Sequence, residues 1–345
     1  MMRAIIKTAA EAGALEMRDI PAPQIGAGDV LVRIKKTAIC GTDIHIYKWD
    51  DWAARTIRTP MVLGHEFVGE IAAIGDNVRG LAVGQLVSGE GHIVCGICRH
   101  CITGAQHLCR QTRGIGVNID GVFAEYAAVP ATNIWVCDPA IPDDILAMLD
   151  PLGNAVHTAL AFNVLGEDVL ITGAGPIGIM AVPIVKRAGA RNVVITDINP
   201  ARLAMAKAAG ADAAIDVRTE SISDIFVKLG IVEGFDIGLE MSGAPQAFSD
   251  MVDNMANGGK IAVLGIFGKP PQIDWNKVIF NSLTLMGIYG RRMYDTWYKM
   301  SALLKTGLAS DVYPIITHTL PADNFQKGFD LMASGEACKV VLDWS

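Results

Sequence analysis

Residues 168–287 alternate between short apolar strands and helical stretches, and this alternation constrains the fold more than any other feature. Helical signals separate most of the strands; Asn199, for example, can cap a helix whose first turn contains Pro200. Strands that alternate with crossover helices form a doubly wound parallel sheet. The sequence therefore predicts an α/β domain with a six-stranded parallel sheet over residues 151–290. Its strands are predicted at Asp168–Thr172, Asn192–Thr196, Ala213–Asp216, Phe235–Leu239, Lys260–Leu264 and Thr284–Gly287.

A GxGxxG motif follows the first of these strands and opens a helix. Gly173 allows the tight turn, Gly175 lets the backbone approach a pyrophosphate, and Gly178 lets helix and strand pack closely. The second strand ends at Asp197, where a ribose-binding carboxylate is expected; its charge would repel a 2′-phosphate, which favours NAD over NADP. Arg202 could contact the ribose, although taken alone a place on a solvated helix face is the better interpretation.

Four of the seven cysteines lie in one short segment, at Cys95, Cys98, Cys101 and Cys109. A secreted disulfide scaffold would be shorter and would spread its cysteines more widely. Thiolates at this spacing can surround one Zn²⁺ tetrahedrally with no open position, which is a structural site. An iron–sulfur cluster is the alternative.

A second set of possible metal ligands is dispersed along the chain. Cys40, His65 and Glu66 combine a thiol, an imidazole and a carboxylate, and three protein ligands with one open position are typical of a catalytic zinc. Neighbouring residues of a regular strand point to opposite faces, so His65 and Glu66 can both bind the ion only from irregular backbone. Asp43 and Asp150 are competing carboxylates.

The remaining sequence indicates a second domain. A length of 345 residues suits two domains, and the first 150 residues contain many short β segments. From Arg291 the pattern changes to a tail that is too short to fold alone. We therefore expect residues 1–150 and 291–345 to form one domain. The tail is predicted to contain a helix at Thr296–Lys305, a strand at Tyr313–Thr317, a helix at Asp323–Ala333 and a strand at Lys339–Trp344.

Charge and hydropathy exclude several classes of protein. The net charge of −7 argues against nucleic acid and anionic membranes as partners. The longest apolar run, Ile177–Val185, is too short to span a bilayer and contains a proline. The N-terminus has no apolar run of signal-peptide length, so we expect a cytoplasmic protein.

Taken together, these motifs resemble the zinc-containing medium-chain dehydrogenase/reductase family over the whole length of the chain. The resemblance implies a GroES-like β-rich catalytic domain, made from both ends of the chain, and a central Rossmann NAD-binding domain. It also implies a homotetramer. The matching stretches are residues 38–45, 64–66, the four-cysteine segment, 150–158, 240–245, 288–291 and 296–300.

The resemblance also assigns roles to individual residues. Cys40, His65 and Glu66 are expected to bind a catalytic zinc, and the four clustered cysteines a structural one. Thr42 and His45 match the family's proton-relay positions, and Asp150 matches a carboxylate close to the metal. NAD contacts are implied at Ile177, Asp197, Arg202, Leu264, Gly265, Ile266, Ile288 and Tyr289.

The reaction implied by the resemblance is the oxidation of the β-hydroxyl of L-threonine to 2-amino-3-oxobutanoate with reduction of NAD. A polyol or simple alcohol dehydrogenase is the alternative within the same family. A zinc-containing NAD-binding sensor without turnover is the alternative from another class. Glu90, His92, Asn154 and His157 are polar candidates for pairing the ammonium and carboxylate of the substrate.

Overall fold

A computed structural model describes all 345 residues, Met1–Ser345, and the chain divides into two compact units. Met1–Pro151 and Ile316–Ser345 form the first unit, and Leu152–Ile315 form the second. None of the helices combines the length and the apolar character needed to cross a bilayer.

The strands are β1 (Met2–Lys7), β2 (Leu15–Ile20), β3 (Asp29–Ala38), β4 (Met61–Val62), β5 (Phe67–Ile74), β6 (Leu86–Gly89), β7 (His92–Ile93), β8 (Arg113–Gly114), β9 (Tyr126–Pro130), β10 (Ile134–Val136), β11 (Asp168–Thr172), β12 (Asn192–Asp197), β13 (Ala213–Asp216), β14 (Phe235–Glu240), β15 (Met255–Val263), β16 (Thr284–Gly287), β17 (Ile316–Pro321) and β18 (Lys339–Asp343). The helices are α1 (Gly41–Lys48), α2 (Asp51–Thr56), α3 (Arg99–Ile102), α4 (Asp143–Ala147), α5 (Leu149–Ala159), α6 (Pro176–Arg187), α7 (Pro200–Ala208), α8 (Ile222–Leu229), α9 (Pro245–Asp253), α10 (Trp275–Phe280), α11 (Asp295–Leu303), α12 (Ala309–Val312) and α13 (Phe325–Ser334).

The first unit is β-rich and is built from both ends of the chain. Its main sheet has the order β10-β6-β5-β3-β18-β17, with β9 also paired to β3. Because β18 pairs with β3, the C-terminal tail contributes an interior strand rather than an appendage. In β3 the buried side chains of Val30, Val32 and Ile34 alternate with residues such as the exposed Arg33. Helix α13 adds the buried ring of Phe329 to this core.

The second unit is a doubly wound domain around six parallel strands. Their order is β13-β12-β11-β14-β15-β16, so the strand order reverses between β11 and β14. All five residues of β11 are buried, as expected for a strand covered by helices on both faces. The predicted α/β class with a Rossmann sheet is therefore confirmed. The predicted limits of the strands at 168–172, 213–216 and 284–287 agree with the structure.

The predicted return of the chain to the first domain at Arg291 is wrong, because the second unit continues through α11 and α12 to Ile315. Helix α11 buries Trp297 and Met300, and Arg187 at the end of α6 pairs with Asp311 at 2.6 Å. These contacts hold α11 and α12 on the second unit, and they depend on tertiary packing that the sequence pattern does not reveal.

The predicted strand at 313–317 is also wrong in its first half. Tyr313–Ile315 forms a 3₁₀ turn, and the strand β17 begins only at Ile316. Pro314 explains the difference, since its ring nitrogen cannot donate to a strand ladder.

Candidate metal and dinucleotide sites

Three of the predicted ligands meet at one place in the first unit. Cys40 immediately precedes α1, while His65 and Glu66 lie in the loop between β4 and β5. The ligand atoms of these three residues all lie within 4.8 Å of one another. The dispersed motifs therefore form a compact set of sulfur, nitrogen and oxygen donors.

Irregular backbone allows both consecutive residues to take part. The regular strand β5 begins only at Phe67, after His65 and Glu66. Gly64 has a φ of +86°, and a Cβ atom at this position would lie 2.1 Å from the ring of Phe123. Glycine is required here for both its conformation and its lack of a side chain, and the turn it makes directs the next two side chains to the same cluster.

Several buried polar atoms in and beside this cluster lack a hydrogen-bond partner. They include Nδ1 of His65, Oε1 of Glu66 and Oδ1 of Asp43. Burying such atoms without partners is costly, so the fold requires something to compensate them. A divalent cation would do so, and the mixed sulfur, nitrogen and oxygen donors fit Zn²⁺.

Lys339 was missed in the sequence analysis and lies directly against this cluster. Its Nζ is 2.5 Å from Oε2 of Glu66 and donates a 3.0 Å hydrogen bond to the carbonyl of Ile39. Burial lowers the pKa of Lys339, but the charges of Glu66 and Cys40 raise it overall above the ordinary value. For Glu66, burial raises the pKa against the opposing effect of Lys339. Lys339 is the first residue of the apolar strand β18, and this sequence pattern does not indicate that its partner is Glu66.

The structure separates the competing carboxylates. Oδ2 of Asp43 accepts a 2.9 Å hydrogen bond from the backbone N–H of Cys40, and its Oδ1 lies 3.9 Å from Nδ1 of His65. Asp150 is close to the cluster but is not one of its three members; its Oδ2 is 3.3 Å from where a Cβ atom of Gly91 would lie. Burial lowers the pKa of His65, but Cys40, Asp43 and Asp150 together raise it well above its ordinary value.

Helix α1 carries the two predicted relay residues. Oγ1 of Thr42 lies 3.9 Å from Sγ of Cys40. His45 is one helical turn further on and is 62% exposed, with Nδ1 2.5 Å from Oδ2 of Asp50. Residues three apart share a helix face, so this face leads from the thiol cluster towards solvent.

The four clustered cysteines form a second, separate set of ligands. The recorded Sγ–Sγ separations are 3.5 Å for Cys98–Cys101, 3.6 Å for Cys95–Cys109 and 4.0 Å for Cys95–Cys101. A tetrahedron with Zn–S bonds of about 2.3 Å has edges of about 3.8 Å, so these sulfurs fit one ion. They are too close together to surround a cluster in which they bind different irons. Backbone N–H groups of Cys95 and Gln111 lower the pKa of Cys109, while burial and the neighbouring thiol of Cys98 raise the pKa of Cys101.

A cavity of about 450 Å³ lies in the second unit, over the GxGxxG turn. Four of its lining residues were predicted from the sequence: Gly173, Gly175, Asp197 and Arg202. Gly178 lies behind the turn, where a Cβ atom would be 1.9 Å from the carbonyl oxygen of Gly173. Further lining residues that the sequence analysis missed include Thr172, Thr196, Ile198, Val217, Met241, Ser242 and Gln246.

Asp197 and Arg202 are held differently within this cavity. Oδ2 of Asp197 accepts a 2.6 Å hydrogen bond from the N–H of Ala174, and its Oδ1 accepts from the N–H groups of Ile198 and Asn199. Nε of Arg202 is buried and has no hydrogen-bond partner. The Arg202 side chain as a whole is partly buried and lines the cavity, and its contact with the ribose stays a prediction.

The other predicted dinucleotide contacts lie on the same edge of the sheet. Ile177 is in the first turn of α6, directly after the glycine turn. The remainder follow the carboxyl ends of β15 and β16, the edge at which open α/β sheets bind ligands. These residues are Leu264, Gly265, Ile266, Ile288 and Tyr289.

The polar candidates for substrate binding fall into two groups. In the first unit, the buried Glu90 accepts hydrogen bonds from the backbone N–H and Nδ1 of His92. In the second unit, Oδ1 of Asn154 accepts from Nη1 of Arg291 at 3.3 Å, and Nδ1 of His157 lies 2.8 Å from the carbonyl of Gly290. Their roles towards a substrate stay predictions.

Family models match both units of the chain. The model described as alcohol dehydrogenase GroES-like domain matches residues 26–140, and the one described as zinc-binding dehydrogenase matches residues 176–306. Both descriptions agree with the family resemblance inferred from the sequence motifs.

Curated relatives and solved structures give the same result. L-threonine 3-dehydrogenases of Idiomarina loihiensis and Aeromonas salmonicida are each 57% identical over 343 residues, which cover 99% of this chain and 100% and 99% of theirs. The NADH complex of a short chain alcohol dehydrogenase from Escherichia coli CFT073 has a TM-score of 0.90 at 28% identity, covering 99% of both chains. Galactitol-1-phosphate dehydrogenase from Escherichia coli has a TM-score of 0.91 at 26% identity, covering 99% of this chain and 100% of that one. The chain belongs to the zinc-binding dehydrogenase family.

Proposed function

We propose that the protein catalyses the oxidation of L-threonine at C3 by NAD, with 2-amino-3-oxobutanoate, NADH and a proton as products. The observation that supports L-threonine as the substrate is the 57% identity, over nearly the whole chain, to relatives named L-threonine 3-dehydrogenase. The product is an intermediate of threonine breakdown towards glycine. The two solved dehydrogenases described above are only 28% and 26% identical, so they support the reaction class rather than a polyol or simple alcohol substrate.

The donor cluster supports the chemistry of alcohol oxidation. A zinc ion held by Cys40, His65 and Glu66 would lower the pKa of a hydroxyl group that binds to it. In this proposal the hydroxyl of Thr42, which lies 3.9 Å from the thiol, accepts the substrate proton as it gives up its own towards His45. His45 then exchanges that proton with water, because its imidazole is exposed and is oriented by Asp50. NAD, when bound, would accept the two electrons of the C3–H bond as a hydride.

We propose NAD rather than NADP as the cofactor because the Asp197 carboxylate lines the cavity. Replacing Asp197 by alanine should weaken NADH binding about tenfold, since both the ribose contact and the hydrogen bond from the N–H of Ala174 are lost. The variant should also bind NADPH more tightly than the wild type does. The measurement is a fluorescence titration with each nucleotide.

Asp212→Asn is a matched control, because its carboxylate accepts a backbone hydrogen bond from Val193 near the opposite end of β12. Its NADH affinity should stay within twofold of the wild type. An Asp197→Ala variant that keeps wild-type affinity and still rejects NADPH would contradict the assignment of NAD specificity to this carboxylate.

We further propose that each subunit holds two zinc ions, one in each donor cluster. Cys109→Ser should reduce the zinc content from two to about one per subunit and lower the melting temperature by at least about 5 °C. NADH affinity should be unchanged. Cys137→Ser alters a buried cysteine outside both clusters and should keep both ions. Two ions per subunit in Cys109→Ser, measured by elemental analysis, would exclude this cysteine as a zinc ligand.

The substrate is tested by offering L-threonine, sorbitol and ethanol at equal concentration and following NADH absorbance at 340 nm. A strong preference for L-threonine is expected. A preference for sorbitol or ethanol would overturn the substrate while keeping the reaction class. No NADH formation with any of the three would favour the alternative of a zinc-containing NAD-binding sensor without turnover.

We also propose that the protein acts in the cytoplasm as a homotetramer. Two features support this: none of the seven cysteines forms a disulfide, and β16 forms an open edge of its sheet. Near this edge α10 exposes the side chains of Trp275, Ile279 and Phe280. Light scattering should give four times the subunit mass of 36.7 kDa; a monomeric mass would contradict the assembly.

A further inference from the structure

Glu240 is the last residue of β14 and lies where the order of the parallel strands reverses. It pairs in register with Thr172, the last residue of the neighbouring strand β11. Dinucleotides bind outside the carboxyl ends of strands at this reversal point. Glu240 has no role in the proton relay, either zinc site or the cofactor contacts described above.

The Glu240 carboxylate is completely buried and collects several hydrogen bonds on one oxygen. Oε1 accepts from the backbone N–H groups of Ser242 and Gly243, both at 2.9 Å, and from Oγ of Ser242 at 2.5 Å. A longer bond of 3.4 Å comes from Oγ1 of Thr172. The second oxygen, Oε2, is buried without a hydrogen-bond partner.

Two turns at the edge of the sheet meet at this residue. Its side chain fixes the turn at Ser242–Gly243. Its backbone carbonyl accepts hydrogen bonds from the N–H groups of Leu264 and Gly265, at 2.9 and 3.1 Å. The packing leaves no space between the turns, since a Cβ atom on Gly265 would lie 2.3 Å from both Oε2 of Glu240 and the backbone nitrogen of Gly243. Ser242 lines the cavity, so the position of the first turn determines part of its wall.

We propose that Glu240 is a positioning residue for NAD, which holds the turns at 242–243 and 264–265 in the arrangement that the dinucleotide requires. This inference rests on the proposed function for the identity of the ligand. A carboxylate suits the task because it only accepts hydrogen bonds and binds N–H donors more strongly than a neutral amide does. In glutamine one of the two oxygens becomes an NH₂ donor, and the charge that strengthens the bonds to the turn is lost.

The test is the NADH affinity of Glu240→Gln, measured by fluorescence titration without substrate. We expect the Kd to rise at least tenfold, which corresponds to about 1.4 kcal/mol. The KM for NAD should rise similarly, while the KM for L-threonine and the zinc content stay within twofold of the wild type. This split separates positioning of the cofactor from a general loss of structure.

Asp168→Asn is the matched control. Asp168 is an equally buried carboxylate at the opposite end of the neighbouring strand β11, bonded there to Arg191 and Asn192. Its variant should lose stability but keep NADH affinity within twofold. An equal loss of affinity in both variants would overturn the proposal, because it would indicate general loosening of the sheet.

An NADH affinity of Glu240→Gln within twofold of the wild type would also overturn it. If this variant does not fold, Gly265→Ala is used instead, because its methyl group would push the two turns apart while every carboxylate remains; the same tenfold loss is expected, and unchanged affinity contradicts the proposal. A wild type that binds NADH without oxidising L-threonine overturns the substrate but not the role of Glu240. A wild type that binds no NADH overturns both.

Discussion

Replacing Cys40 by serine is expected to reduce the rate of NADH formation from L-threonine by at least about a thousandfold, equivalent to about 4 kcal/mol of activation free energy. Cys40 supplies the thiolate of the donor cluster, and its ligand atom lies within 4.8 Å of those of His65 and Glu66. A neutral serine hydroxyl is a much poorer zinc ligand than a thiolate. Without the ion, the substrate hydroxyl keeps its high pKa, so very little of the alkoxide forms near neutral pH. Steady-state kinetics and zinc content are measured together.

NADH affinity of the Cys40→Ser variant should be unchanged, because the cavity is lined by residues of the second unit alone. Cys338→Ser is a suitable control, since Cys338 is a buried cysteine of the same unit outside both clusters. Its zinc content and turnover should stay close to those of the wild type. Full turnover of Cys40→Ser would contradict the assignment of Cys40 to the catalytic metal.

Replacing Lys339 by methionine is expected to destabilise the first unit by about 3–5 kcal/mol, because it removes one partner of a fully buried ion pair. Nζ of Lys339 lies 2.5 Å from Glu66, and the two side chains are 3% and 0% exposed. Methionine fills a similar volume, so most of the loss should come from the unpaired Glu66 carboxylate. Urea denaturation gives the change in the free energy of unfolding.

The control for Lys339→Met is Arg18→Met, which breaks the solvent-exposed pair of Arg18 with Glu16 in the same unit. Exposed pairs contribute about 0–1 kcal/mol, so this variant should unfold close to the wild-type midpoint. A Lys339→Met protein as stable as Arg18→Met would show that Glu66 does not depend on Lys339 for its charge balance.

Patterns that are local in the sequence predicted the fold well. The strand at Asp168–Thr172, its glycine turn and the following helix are specified within one short stretch, and the structure has all three. The end of the second unit was not predictable in the same way. It depends on Arg187 of α6 meeting Asp311 and on the burial of Trp297, which are contacts between segments far apart in the chain.

The same distinction applies to the sites. Cys40, His65 and Glu66 were found from their chemical types and motifs, but the sequence left open how two consecutive residues could face one cluster. The left-handed turn at Gly64 answers that question, and only the fold reveals it. The buried pair of Glu66 with Lys339 joins segments from the two ends of the first unit, so no local pattern could have indicated it.

The most direct test of the proposed reaction follows the hydrogen on C3 of the substrate. The protein is incubated with NAD and L-threonine that carries deuterium at C3, and the mass of the NADH formed is measured. We expect NADH one mass unit heavier than that formed from unlabelled L-threonine, because the hydride comes from C3. NADH without the label, or no NADH at all, would contradict oxidation of L-threonine at C3 by NAD.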